Sequence, residues 1–283
     1  MRDLVLAKQF ENSKIIFAVQ ELQGNINHKI IEAGYNLKIL KSANIGELLA
    51  LVEEKKIDML VIDHYGIDYK FEEELKTKNP KLKIMVLDDT YEKHCCDIVL
   101  NHNIYAKKSK YKELVPHSCE VRCGSKYILL RDEFYREKDK TRPKIKSMST
   151  KIFIAMGGAD TQNLNPKILK ILKNFEHVKA VIVTTTANKN LEELKEYVKE
   201  KKWIKLYINS DKIAKLIRKS DFGIITPSVS ANELYFMNKP FISIKTADNQ
   251  EEMCKFLKKN GLSIMRRFGE KKLNFMIKEI IKR

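Results

Sequence analysis

No apolar stretch of the 283-residue sequence approaches the roughly 20 residues that a membrane-spanning helix needs, and the first residues, Met1-Arg2-Asp3-Leu4-Val5-Leu6, include an acid and no small-residue cleavage site. The expectation is a cytoplasmic protein without a membrane span. The five cysteines, at positions 95, 96, 119, 123 and 254, are odd in number and make no disulfide framework in a chain of this length, so reduced thiols are expected. His94, Cys95, Cys96, His117, Cys119 and Cys123 lack the usual Cys-x2-Cys bite of a zinc site, and no carboxylate cluster suggests another metal. Neither a metal nor a cofactor is expected. Also absent are the Gly-x-Gly-x-x-Gly dinucleotide fingerprint and a Walker loop ending in Lys-Ser/Thr. Arginine is scarce and no basic stripe is interleaved with aromatics, so the net charge of +17 reads as lysine spread over every segment, not as a nucleic-acid surface. A positive field of that kind favours an anionic small molecule, over a range limited by salt screening.

What is present is a regular alternation of apolar runs and amphipathic stretches, the pattern of parallel sheets covered by helices. The hydrophobic share of 43% and charged share of 32% describe a globular protein, and 283 residues suffice for two domains of about 140 each. The first half reads as helix 1–10, strand 15–19, helix 25–33, strand 37–40, helix 45–55, strand 59–63, helix 71–76 and strand 84–88, then short strands around 98–100 and 127–130. The second half predicts strands near 151–155, 178–184, 204–208, 222–225 and 240–244, with helices near 165–174, 190–200, 211–219, 230–237, 249–260 and 270–282. The polar, Pro-containing stretch 136–150 reads as a linker between domains 1–140 and 150–283. Two Rossmann-like α/β domains with an interdomain cleft follow, with ligands at the carboxyl ends of the strands. The chain opens on a helical pattern, Leu4, Val5, Leu6 and Phe10, with no strand ahead of it. Because the first strand of a doubly wound domain is usually central, that strand and its glycine loop are read as missing from the first domain.

Candidate residues sit where strands end. Gly157 and Gly158 follow the apolar run Ile152 to Met156 and precede a helical pattern, a junction that can offer backbone N–H groups and a helix N-terminus to a diphosphate. A plain tight turn is the alternative. Asp63, His64, Tyr65 and Gly66 end the strand Met59 to Ile62, where His64 and Tyr65 can hydrogen-bond a ligand or merely cap the strand. Asp88 and Asp89 end the next strand and rank behind them. A histidine at position 64 is a residue type that can take a proton from water. Thr226-Pro227-Ser228 follows the strand Phe222 to Ile225, and Ser228 or Ser230 there can cap a helix or meet a phosphate. Ser230-Ala231-Asn232-Glu233 matches a capping box, and Asn249 lies where an N-cap is expected.

Several segments together are similar to the UDP-2,4-diacetamido-2,4,6-trideoxy-β-L-altropyranose hydrolases of pseudaminic acid biosynthesis. They are Arg2-Asp3-Leu4-Val5-Leu6-Ala7-Lys8-Gln9-Phe10, Ile62-Asp63-His64-Tyr65-Gly66, Cys119-Glu120-Val121-Arg122-Cys123-Gly124, Arg131-Asp132-Glu133-Phe134-Tyr135, Met156-Gly157-Gly158 and Asn249-Gln250-Glu251. The resemblance implies a GT-B-like fold in which the second domain holds UDP and the sugar lies in the cleft. It implies transfer of the sugar to water with inversion, releasing UDP and a free diacetamido sugar destined for flagellin glycosylation. Tyr65 then faces the substrate, Asn232 and Glu233 bind the nucleotide, with the Glu233 carboxylate accepting from the ribose hydroxyls, and Asn249 meets the reacting sugar. The implied partner is a UDP-sugar, and a monomer is expected.

Family members carry Gly-x-Gly-His-x-x-Arg-Asp-Leu after their first strand, with the His as proposed base. Here Met1 stands directly ahead of Arg2-Asp3-Leu4, so that His lies outside the sequence and no residue takes its role. An upstream start, restoring about 18 residues of strand and loop, is expected, with the numbered form poorly soluble or inactive without them. Two other readings stay open. A UDP-sugar glycosyltransferase of the GT-B type would depend on an acceptor, and a truncated, catalytically silent protein would only bind UDP.

Overall fold

The structure is a computed structural model that describes residues 2–22, 25–140 and 149–282. By its own contacts the chain divides into Met1–Leu129 and Leu130–Arg283. Most of the stretch read as a linker, residues 141–148, lies outside the described residues. Among the described residues no helix is long and apolar enough to cross a membrane.

The first unit runs α1 (Arg2–Ala7), β1 (Ile16–Gln20), α2 (Asn27–Glu32), β2 (Asn36–Leu40), α3 (Ile45–Lys55), β3 (Met59–Ile62), α4 (Tyr69–Lys78), β4 (Lys83–Leu87), β5 (Ile98–Asn101) and β6 (Glu120–Cys123). Helix α3 starts where the Asn44 side chain accepts the Gly46 N–H, and α4 where Asp68 accepts the Phe71 N–H. All strand pairings are parallel, but they form two sheets, β1-β2 and β3-β4-β5-β6. In the larger one β4 is flanked on both sides, and Ile84, Met85, Val86 and Leu87 are buried, as the continuous apolar run requires. Strand β3 is equally apolar yet among the described residues pairs only with β4, and Val61 is 38% exposed. Leu48, Leu49 and Val52 of α3 and Leu75 of α4 close the core over Ile62, Ile84 and Val99. On another cluster Leu6 of α1 meets Met85, Leu87 and Leu100.

One expectation fails here. Residues 127–130 are not a strand; Ser125–Tyr127 is a 3-10 turn, and the outer strand is β6 instead. An edge strand needs only one buried face, so β6 alternates, with Glu120 and Arg122 paired at 2.8 Å on its open side. That short alternation is easily passed over in favour of an apolar run.

The second unit begins with α5 (Asp132–Lys138), followed by β7 (Thr150–Ala155), α6 (Leu164–Leu172), β8 (Val178–Thr184), α7 (Leu191–Val198), β9 (Ile204–Ile208), α8 (Ile213–Lys219), β10 (Phe222–Ile225), α9 (Val229–Phe236), β11 (Phe241–Ile244), α10 (Glu251–Lys259), β12 (Ser263–Met265) and α11 (Glu270–Ile281). Helix α5 groups with this unit because Glu137 pairs with Arg218 of α8 at 2.7 Å and Tyr135 packs edge-on against Phe236. The sheet is fully parallel, in the order β12-β11-β10-β7-β8-β9. Chain direction across it reverses between β7 and β10. Right-handed crossovers therefore send the helices that follow these two neighbours, α6 and α9, to opposite faces, which opens a crevice at the carboxyl ends of β7 and β10.

Candidate active site

That crevice is bordered by the loops at which the sequence predicts phosphate contacts. After β7, Gly157 takes φ +79°, a left-handed conformation that side chains resist, while a Cβ on Gly158 would lie 3.0 Å from Thr185. The Gly158 carbonyl accepts from the Thr185 N–H at 3.1 Å and from the Thr184 hydroxyl at 3.0 Å, which ties the loop to the end of β8. One expectation is corrected. The first amides of α6 are not open to an anion, because the Asp160 carboxylate accepts from Leu164 N–H at 2.8 Å and Asn165 N–H at 2.9 Å. The loop amides are what this side of the crevice can offer.

After β10, the Thr226 N–H bonds to the Ala155 carbonyl at 3.1 Å, and the Thr226 and Ser228 hydroxyls lie 2.9 Å apart. Ser228 occupies the N-cap position of α9 but its side chain does not cap the helix. Ser230 lies inside α9, so the capping box with Glu233 does not form. Asn232 is fully buried, and of the pair only Glu233 keeps part of its surface open. Burial raises the Glu233 carboxyl to about 7, with Arg131 opposing and Glu133 adding to the rise.

A third loop follows β11. The Gln250 side-chain oxygen accepts from Thr246 N–H at 2.8 Å and Ala247 N–H at 3.2 Å, and Gln162 of the glycine loop donates to the Thr246 carbonyl at 2.9 Å. Asn249 is exposed in the 3-10 turn Asp248–Gln250 and does not cap α10, which begins at Glu251. Beside this turn lies a cavity of about 560 Å³ bordered by Gln162, Lys167, Lys245, Arg266 and Arg267.

In the first unit a second constellation collects at the carboxyl ends of β3, β4 and β5. Arg2 donates through Nε to Asp63 Oδ2 at 2.8 Å, pairs through Nη2 with Asp63 Oδ1, and reaches Asp89 Oδ2 at 3.3 Å and His102 Nε2 at 3.4 Å through Nη1. Burial works against the Asp63 carboxylate, yet the Arg2 bonds hold it below the usual range. Burial raises Asp3, beside Asp63, to about 6. Burial and the Arg2 charge push His102 down to about 4, so it is neutral at physiological pH.

Tyr65, 73% exposed, donates its hydroxyl to Asp89, at 3.0 Å from Oδ1 and 2.9 Å from Oδ2. His64 accepts the Gly66 N–H on Nδ1 at 3.0 Å. That lone pair is engaged and the ring proton then sits on Nε2, which argues against His64 as a base for water. Asp88 is buried, accepts from Thr90 N–H at 2.8 Å and from the Tyr111 hydroxyl at 2.6 Å, and is a framework group. Among the described residues no cluster of three or more His, Cys, Asp or Glu side chains can hold a metal.

Arg2 and His102 escaped the reading of the sequence, although His102 directly follows the apolar strand Ile98–Asn101 just as Asp63 follows β3. The strand-end rule applied to every strand would have found it.

No family profile matches the chain. It is 40% identical over 263 residues, 93% of its own length and 92% of the other's, to the UDP-2,4-diacetamido-2,4,6-trideoxy-β-L-altropyranose hydrolase of Campylobacter jejuni subsp. jejuni serotype O:2. It is 28% identical over 252 residues, 87% of its length and 51% of the other's, to an uncharacterized protein of Methanocaldococcus jannaschii. Spinosyn rhamnosyltransferase SpnG, solved with thymidine diphosphate, matches 100% of this chain and 88% of its own with a TM-score of 0.70 at 12% identity. At that identity the likeness is one of fold, the GT-B-like fold built from two Rossmann-like domains.

Proposed function

The chain belongs to the UDP-2,4-diacetamido-2,4,6-trideoxy-β-L-altropyranose hydrolases, and on that premise we propose that it transfers such a sugar from UDP to water in pseudaminic acid biosynthesis. The observation that carries this reading is the 40% identity over 93% of the chain. Water adds to the anomeric carbon from the face opposite UDP and gives up one proton to the surrounding solvent, while the bond from that carbon to the phosphate oxygen breaks and its electron pair leaves with UDP. Inversion at the anomeric centre follows from the single displacement.

The groups in hand divide this work. Negative charge grows on the diphosphate, and the Gly157 and Gly158 amides with the Thr226 and Ser228 hydroxyls border the switch-point crevice where it would be stabilised. One preorganised donor of this kind contributes about 3–4 kcal/mol to such a step. Glu233 takes the ribose hydroxyls, a role supported by its freedom from the capping box, and the buried Asn232 backs α9 from inside. Exposed Asn249 meets the departing phosphate or the water. Tyr65 faces the sugar, and His64, with its ring proton on Nε2, serves as a donor there.

Purified protein given the UDP-sugar alone should release UDP and free sugar, whose first-formed anomer, read by proton NMR, is inverted. Turnover that appears only with an acceptor would favour a glycosyltransferase, and UDP binding without turnover a silent binding protein. We also take the protein as a cytoplasmic monomer, which fractionation and sedimentation decide.

A further inference from the structure

We propose that Arg2, Asp89 and His102 are positioning residues for Tyr65, and that Tyr65 offers the sugar its ring face instead of its hydroxyl proton. The proposal rests on the hydrolase reading for the identity of the ligand. Tyr65 combines two properties, 73% exposure of the residue and a hydroxyl shared between both oxygens of one carboxylate at 2.9 and 3.0 Å. A hydroxyl has one proton, and here it is spent on Asp89. What remains open to a ligand is a lone pair on the phenol oxygen, which can only accept, and an aromatic face in a fixed orientation. Its negative quadrupole suits the C–H-rich side of a deoxy-sugar.

Asp89 is itself held. Arg2 Nη1 lies 3.3 Å from its Oδ2, and the Tyr105 hydroxyl bonds to its backbone carbonyl. Arg2 in turn is fixed from three strand ends, by Asp63 after β3, Asp89 after β4 and His102 after β5. A guanidinium only donates, so His102 Nε2 accepts and the imidazole proton sits on Nδ1. With His102 2% exposed, an imidazolium would face Arg2 with like charge and no water between them. The neutral ring is therefore the partner that lets one cation serve two carboxylates. Burial and the Asp89 charge raise the Tyr65 phenol above its ordinary range, with Arg2 opposing and Asp63 adding to the rise, so the hydroxyl stays a donor.

The test compares Tyr65→Phe, Tyr65→Leu, Asp89→Asn, and His102→Gln with His102→Leu in the full chain, reading UDP-sugar hydrolysis and the titration of 13Cζ-labelled tyrosines by NMR. Tyr65→Phe keeps the ring and should raise KM about two- to tenfold, the worth of one net hydrogen bond, with a smaller change in kcat. Tyr65→Leu should lose clearly more in kcat/KM. Asp89→Asn removes the charge but keeps an acceptor, so it should lose no more than Tyr65→Phe, and the double variant should be no worse than Tyr65→Phe alone. His102→Gln, which keeps an acceptor, should rescue most of what His102→Leu loses. In the NMR experiment the Tyr65 phenol should titrate above about 10 in the native chain and move back toward about 10 in Asp89→Asn. Equal losses from Tyr65→Phe and Tyr65→Leu, or a Tyr65 titration indifferent to Asp89→Asn, would overturn the proposal. Should the unaltered chain hydrolyse no UDP-sugar, the phenol titration, which needs no turnover, still decides the positioning set.

Discussion

UDP affinity should depend on pH through Glu233. Burial holds this carboxyl at about 7 in the free protein, against Arg131 and with Glu133. An ionised carboxylate accepts from two ribose hydroxyls, whereas the protonated form spends one oxygen as a donor. Binding is therefore strongest above about pH 7 and weakens as the pH falls through it. If only the ionised form takes the ribose, the dissociation constant rises by 1 + 10^(pKa − pH), a factor of about ten between about pH 8 and about pH 6, or about 1.4 kcal/mol. Calorimetric titration with UDP at the two pH values measures this. The terminal phosphate of UDP titrates near 6 as well, so Glu233→Gln serves as the reference, and the excess pH dependence of the native chain belongs to Glu233. At the higher pH the variant should bind about ten- to a hundredfold more weakly, the worth of a hydrogen bond to a charged group. Identical pH profiles, or an unweakened Glu233→Gln, would refute the ribose role.

Other expectations are as direct. Gly158→Ala pushes a Cβ to 3.0 Å from Thr185 and should cost about 1–3 kcal/mol in stability while weakening UDP binding. Gly157→Ala meets no atom within 4 Å and should cost only about 1–2 kcal/mol for its left-handed φ; thermal unfolding and UDP titration of both variants check the contrast. His102 has a folded pKa of about 4 against an unfolded value near 6.5, so the unfolded chain takes the proton first and stability falls as the pH drops from about 6.5, levelling below about 4. Urea unfolding of the native chain against His102→Gln should show a difference growing to about 3 kcal/mol at pH 4, and a constant difference would contradict the neutral imidazole. Arg218→Ala removes the 2.7 Å pair that joins α5 to α8 and should lower stability by about 2 kcal/mol, seen as a lower urea midpoint.

The strands of the second unit were legible because β10 and the end of β7 are apolar runs buried on both faces and β8 is apolar beyond Lys179, each bounded by polar or glycine-bearing turns. β12, only Ser263–Met265, is too short to register as a pattern, and β6 hides in its alternation of charge. Residue order was enough to put Gly157, Gly158 and the Thr226 loop at strand ends, since strand ends can be read from the chain alone. The Asp160 cap on α6 could not be read so, because it depends on a left-handed turn, φ +38°, that swings the carboxylate back onto the helix. Nor could the Arg2 cluster. Its partners stand far apart in sequence, and only the parallel stacking of β3, β4 and β5 brings Asp63, Asp89 and His102 around one guanidinium.

Hydrolysis carried out in water enriched in oxygen-18 tests the central claim most directly. Mass spectrometry should find the heavy oxygen in the released sugar, at its anomeric hydroxyl, and leave UDP unlabelled. Label in the UDP phosphate would place the cleavage at phosphorus and contradict displacement at the anomeric carbon.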